Sequence, residues 1–360
     1  MPSAFERQYA RWQRRVQTLA PPLRKAYLDG FTRLRTLLDE DLLAKLISTG
    51  GIDRLLADAA TPELVGRAFA KFEQQLGESI AKAGQYFMKD VPRMAPATVA
   101  GGLKAGEIAV EFNRLAEPVL QAVRQMQTRV MTTQVLQPVT QTIRDAAELG
   151  LQRGLGPRAT ARLIANSMPL APNQLNAITN FERMLTHHRI WDYVPEVNDE
   201  GKKVWRRVLK EWRRGHPDPE LLTRQLRDKR FDRTIRKMIA NNSSLSSTQV
   251  ERALKIYRKH MIAFNAETIS RTSALNAAKQ GQRLAWETAI SERGVDPNTV
   301  WKRWQTVGDD RVREEHNAMS GETVLFSEPY SNGEMTPGES TFNCRCRSDV
   351  FMSTQDRRRQ

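Results

Sequence analysis

The chain has 360 residues, 40% hydrophobic and 27% charged, an ordinary balance for a folded protein and enough length for two or three domains. Lys and Arg number 56 against 41 Asp and Glu, a formal charge of +15, which favours an anionic partner, nucleic-acid phosphate first among the candidates. No apolar run approaches the roughly 20 residues of a membrane-spanning helix, and Met1 to Arg7 lack the layout of a secretory signal. The reading is therefore a soluble cytosolic product with no membrane partner. The two cysteines, Cys344 and Cys346, stand one residue apart, too close for an unstrained disulfide, so a disulfide framework is excluded.

Helical periodicity dominates from the N-terminus. Leu42, Leu43, Leu46 and Ile47 form an apolar patch on adjacent turns of a helical region over 1–105, suited to closing a local bundle. The Pro- and Gly-rich run from Pro92 to Gly106 reads as a linker. A stripe of Phe112, Leu115, Val119, Val123, Met126 and Val130 follows, with Pro118 and Pro138 expected to kink or break it. Leu155-Gly156-Pro157 and Leu170-Ala171-Pro172 each look like turns feeding a helix start. Ser246-Ser247-Thr248-Gln249 reads as a capping box for a long helix whose apolar face is Val250, Leu254, Tyr257, Met261 and Phe264.

From residue 291 the character changes. Turn residues cluster at 294–298 and 327–338, around β-prone pieces at 299–306, 323–326 and 347–351 and one helical turn near 312–319. The expected fold is mostly α, an extended multi-helix body ending in a small C-terminal α+β domain. The expected divisions are 1–105, 106–290 and 291–360.

Residues 202–237 hold fourteen basic residues against five acidic ones. Lys202, Lys203, Arg206, Arg207, Lys210, Arg213, Arg214, Arg230, Arg233, Arg236 and Lys237 are the candidate phosphate contacts, on a stretch read as helical. Trp205, Trp212 and Phe231 interleave with them as stacking groups. A solvated helical face over buried aromatics, or an acidic protein partner, competes with nucleic acid here. No helix-turn-helix or zinc-finger spacing appears, so the contact expected is indifferent to sequence.

The densest constellation runs from Trp304-Gln-Thr through Asp309, Arg311, Arg313, His316 and Gly321, then Pro337, to Asn343-Cys344-Arg345-Cys346. Together with Arg271-Thr272 upstream, it resembles the C-terminal domain of the phage Mu F-like minor head proteins. Ser273 departs from the pattern, since Glu is usual there. The likeness extends over roughly 150–350, while the first 105 residues carry none of it. The resemblance implies a low-copy component of the virion head interior, close to the portal vertex and involved in head assembly and DNA passage. Its implied partners are the portal protein, packaged phage DNA without sequence preference, and scaffolding or major capsid protein.

His316, Cys344 and Cys346 are the softest ligands in the chain, the types zinc prefers, with Asp309, Asp310 or water as a fourth ligand. Against this stands a hydrogen-bonded cluster with no cofactor, in which Asp309 or Asp310 caps a helix near Arg311 while Arg311 and Arg313 pair with carboxylates. No phosphate-binding glycine loop, His-Glu-x-x-His helix or Gly-x-Ser-x-Gly elbow occurs. The expectation is accordingly a structural protein with no catalytic residues, the alternative being a metal-dependent nuclease or phosphotransfer enzyme of phage DNA handling.

Overall fold

A computed structural model describes residues 4–91, 112–198, 201–214, 229–241, 243–293, 295–310, 312–339, 341 and 344–353. Among them the chain is mostly helical with a small C-terminal sheet. The helices are α1 (Ala4–Leu37), α2 (Glu40–Ala59), α3 (Pro62–Met88), α4 (Glu117–Val130), α5 (Gln137–Gln152), α6 (Pro157–Ser167), α7 (Pro172–Thr186), α8 (Asp232–Ala240), α9 (Ser247–Arg293) and α10 (Glu314–Ala318). The strands are β1 (His187–Val197), β2 (Lys203–Arg214), β3 (Val300–Gln305), β4 (Thr323–Leu325) and β5 (Arg347–Met352).

The contacts divide into two compact units, each built from separate stretches of chain: residues 1–39, 57–137 and 266–360, and residues 40–56 and 138–265. The proposed linker after Pro92 lies outside the described residues. In the first unit, Tyr27 and Phe31 of α1 interlock edge-on with Phe69 and Phe72 of α3, Phe31 and Phe69 at 4.9 Å. Gly30 permits that approach, because a Cβ there would fall 2.4 Å from the Phe69 ring. Aromatic cores of this kind gain about 2–3 kcal/mol per fully buried side chain. In the second unit, Ile178, Phe181 and Leu185 of α7 pack with Ile235 of α8 and with Val250, Leu254 and Tyr257 of α9.

Local chemistry explains the element ends. Pro157 and Pro172 open α6 and α7 as the turns require, and the Gln174 side chain accepts from the Ala171 N–H at 3.0 Å. The capping box at α9 forms as read: Ser246 Oγ accepts from Gln249 N at 3.3 Å, and Gln249 Oε1 accepts from Ser246 N at 2.9 Å. Pro118 starts α4 rather than kinking it, since a first-turn N–H needs no helical partner. Pro138 instead coincides with a π-helical turn at Met131–Leu136. Its missing N–H and its clash with the carbonyl four residues back are relieved by widening the preceding turn.

Two apolar positions depart from the expected stripes. Leu115 is exposed because α4 begins only at Glu117, leaving Leu115 in a turn where its N–H donates to Asn113 Oδ1. Phe264 is exposed as well, although the next two residues of α9, Asn265 and Ala266, are buried. In the N-terminal patch Leu43 and Leu46 are buried, Ile47 is half-buried and Leu42 is exposed.

The basic stretch is the largest departure. Residues 203–214 are a strand, not a helix: β1 and β2 pair antiparallel from His187↔Arg214 to Val197↔Lys203. The residues themselves account for this. Val204, Trp205, Val208, Leu209 and Trp212 are β-prone types facing a second β-prone run, Ile190 to Val197, across a tight turn. In that turn Gly201 takes φ 73° and Asn198 exchanges backbone hydrogen bonds with Gly201 and Lys202. The register slips beside Ile190 and Trp191, making Lys210 the extra residue of a β-bulge.

The C-terminal pieces fold as expected. β3 is the central strand, antiparallel to both neighbours in the order β4-β3-β5, with α10 between β3 and β4 in sequence. No described helix is long and apolar enough to cross a membrane.

Candidate functional site

The sheet positions a buried cluster. Trp304, near the end of β3, is fully buried and packs with Tyr330, Cys344 and Cys346. Its backbone is locked on both sides, since Trp304 N donates to Glu322 O and Gly321 N donates to Trp304 O, each at 2.8 Å. Gly321 has φ 92°, so glycine suits that return turn. His316, on the short helix α10, is buried and stacks edge-on against Trp304 with ring centroids 5.4 Å apart. Its Nδ1 lies 3.4 Å from Cys344 Sγ and 3.7 Å from Cys346 Sγ. All three donor atoms fall within 4.8 Å of one another.

The loop before β5 is built around this contact. Gly338 takes φ 70°, and a Cβ on it would fall 2.2 Å from Cys344 Sγ, so no larger residue fits. Lys279 of α9 is buried and donates to Pro337 O at 2.5 Å, with Cys344 O at 3.4 Å. Lys279 thus ties both Pro337 and Cys344 to α9. Burial pushes the Lys279 amine down, opposed by the nearby cysteines. Cys344 is lowered to about 5, chiefly by the hydrogen bond from the Cys346 thiol, with Lys279 and His316 helping against burial. Cys346 is raised, because it holds the proton the pair shares and is buried. The cluster therefore sets two coupled thiols, one shifted down and one up, beside the His316 ring and the buried Lys279 amine.

Neighbouring charges brace the sheet. Arg347 Nε and Asp349 Oδ1 pair at 2.8 Å with both side chains buried, and Arg303 approaches Asp349 at 3.8 Å. Burial raises the Asp349 carboxyl while Arg347 and Arg303 oppose the shift. Lys302 donates to Met335 O at 2.9 Å and stands 4.8 Å above the Tyr330 ring, its amine lowered by burial to about 8.

Of the sequence candidates, the fold brings Trp304, His316, Gly321, Cys344 and Cys346 together. Asp309 does not cap a helix or offer a fourth ligand; its two oxygens accept from Arg345 at 2.5 and 2.6 Å. α10 starts at Glu314, with Arg313 as an N-cap that makes no side-chain capping bond. Arg313 is exposed, and Arg311 lies outside the described residues. Arg271 is exposed on α9 and Thr272 is buried. Ser273, where a carboxylate was expected, is buried and hydrogen-bonds Gln134 Oε1 at 3.2 Å, a neutral pair in a place where a lone carboxylate would be costly.

Among the basic candidates, Lys202, Arg230, Arg233, Arg236 and Lys237 are exposed. Lys203, Arg206, Arg207, Lys210, Arg213 and Arg214 fall on β2, while 215–228 lies outside the described residues. Phe231 packs against the core of the second unit and is not a stacking group. Sequence reasoning missed Lys279, Gly338 and the Arg347–Asp349 pair. A lone lysine directly after the alanine-rich run 274–278 was the available signal for the first.

The donor set fits a thiolate-preferring divalent ion such as zinc: one imidazole and two thiols, all buried and mutually close. Among the described residues no further His, Cys, Asp or Glu joins them. An ion held there by these three donors would have a tetrahedral position left for another kind of ligand and would supply Lewis-acid chemistry. The expectation of no catalytic function is corrected on this ground. A buried His and two cysteines within metal-binding distance form the type of centre that metal or thiol catalysis uses.

The fold and site define a mostly helical protein carrying a small, cysteine-bearing α+β unit. Residues 222–348 match the family described as Phage Mu protein F like protein. The match is narrower than the 150–350 likeness read from sequence, and is consistent with a protein related to phage head morphogenesis. It covers α8, α9 and most of the C-terminal sheet but leaves out the basic hairpin. No curated protein and no solved structure matches the chain.

Proposed function

We propose that the chain is a minor head protein of a tailed phage, lying inside the head near the portal vertex and contacting packaged DNA through its basic region. The observation that carries this reading is the convergence of Trp304, His316, Cys344 and Cys346 into one buried cluster, with Gly321 hydrogen-bonded to Trp304 beside it, inside the family-matched segment. The fourteen basic residues of 202–237 support the DNA contact. A two-stranded ribbon followed by a helix with Arg233, Arg236 and Lys237 exposed can lie along phosphates without reading bases. Portal protein, and scaffolding or major capsid protein, are the partners the reading entails.

Two measurements test it. Affinity for duplex DNA should fall steeply with salt and vary little with sequence, and replacing Arg206, Arg207, Arg213 and Arg214 by Ala should flatten the slope by up to about 0.9 per lost phosphate contact. An unchanged slope moves the DNA contact elsewhere. The chain should co-sediment with portal-containing procapsids, and truncation at residue 300 should abolish this; retention after truncation removes the C-terminal unit from docking.

The buried donor set favours a second reading, metal-dependent cleavage of DNA. Plasmid incubated with the protein and zinc, manganese or magnesium decides it: cleavage lost in His316→Ala supports an enzyme, and intact plasmid in every metal removes that reading.

A further inference from the structure

One surface of the first unit is used by neither the cysteine cluster nor the DNA reading. Along α1, Tyr9, Gln13, Gln17, Pro21, Lys25 and Leu28 repeat at helical spacing and line one wall of a trench of about 740 Å³. Nineteen residue steps at 1.5 Å each make that wall about 28 Å long. Glu267, Arg271 and Leu275 of α9 line it from the other helix, and Arg345 completes the lining. Two motif residues distant in sequence, Arg271 and the arginine between the two cysteines, therefore meet at one surface.

The floor is apolar and the rim cationic. Trp12, Val16 and Leu275 are buried beneath, and Ala20 and Leu28 are half-buried. On the rim Arg24 pairs with Glu267 at 3.5 Å and Arg345 with Asp309. Lys25 and Arg271 are exposed and make no ion pair among the described residues. The trench thus has two charges to offer an anionic visitor. Beyond Tyr9 and Trp12 its lining is aliphatic and polar, so successive bases of a nucleic-acid strand would find no rings to stack on. An apolar floor with a basic rim along one helix matches a second helix laid in a groove.

We propose that this trench receives an amphipathic helix of another polypeptide, its apolar face on Val16, Ala20, Leu28 and Leu275 and its Asp or Glu flank facing Lys25 and Arg271. Charge complementarity sets the partner's chemistry and orientation. The proposal stands apart from the DNA reading, since no residue of 202–237 lines the trench.

The test uses the full chain and two labelled helical peptides of about 20 residues, with leucines at helical spacing and either Glu or Lys on the flanks, followed by fluorescence anisotropy at low salt. The Glu peptide should bind saturably and the Lys peptide about tenfold or more weaker. In Lys25→Glu/Arg271→Glu the preference should reverse, which an unfolded variant could not produce; circular dichroism confirms the fold. Equal binding of the two peptides, no binding of either, or a preference unchanged in the double variant overturns the proposal. Displacement of the Glu peptide by a single-stranded oligonucleotide, with oligonucleotide affinity lost in the same variant, makes the trench a strand groove and overturns it too.

Discussion

The C-terminal sheet and the basic hairpin are both short, strongly patterned stretches, yet they carry information differently. In the sheet, each motif residue is held by several independent contacts: Trp304 by two backbone hydrogen bonds, the His316 ring and the Tyr330 ring. In β1 and β2 the described features are the ladder itself, one bulge and one turn. A stretch fixed by many tertiary contacts should fail when a single atom is added or removed. A stretch fixed by its ladder should tolerate such changes and respond chiefly in charge-dependent binding.

The sharpest test of that contrast is Trp304→Ala, which empties the centre of the cluster and should cost about 3–5 kcal/mol in chemical denaturation. A loss below about 1 kcal/mol would mean the cluster is not a packed core. Next, zinc added to chelator-stripped protein at a hundred times its dissociation constant should stabilise the wild type by about 2.7 kcal/mol and Cys344→Ser by far less. Absence of any shift in the wild type leaves a hydrogen-bonded cluster without metal.

The glycines give a paired comparison. Gly338→Ala meets both a left-handed backbone and the Cys344 sulfur, and should cost about 2–4 kcal/mol. Gly201→Ala in the hairpin turn has a similar φ but open space around its Cβ, and should cost only about 1–2 kcal/mol. Thermal melts of the two variants would break the comparison if their order were reversed.

The smallest effect is one of pH. Lys302 is lowered to about 8 in the folded chain, so folded protein releases that proton before unfolded protein does. Its contribution is flat below pH 8 and rises toward the ordinary lysine value of 10.5. Subtracting the Lys302→Met stability curve from that of the wild type should expose this rise. A flat difference across that window would show that the amine is not held in a costly site.

Much of the sheet unit was legible beforehand because its signals are local. Valine- and tryptophan-rich runs between turn residues placed β3, β4 and β5, and the capping box placed the start of α9. The basic stretch was misread for an equally physical reason. Charge dominated the reading of 203–214, whereas its β-prone residues (Val204, Trp205, Val208, Leu209 and Trp212) and a partner run across the Asn198–Gly201 turn determine its backbone. Leu115 and Phe264 fit the apolar periodicity, but Leu115 precedes the start of its helix and Phe264 is exposed beside buried Asn265 and Ala266, which periodicity cannot reveal.

The sequence by itself determined the mostly helical class, the helix starts at Pro157, Pro172 and Ser246, and the small strand-bearing unit, because propensity and capping act within a few residues. Only the tertiary structure decided that Asp309 serves Arg345 and not a helix end, that Lys279 holds the cysteine loop from 58 and 65 residues away, and that Arg271 and Arg345 share one trench. Those outcomes depend on which distant side chains arrive at the same place, and burial then fixes their partners because an unpaired charge in the core is too costly to persist.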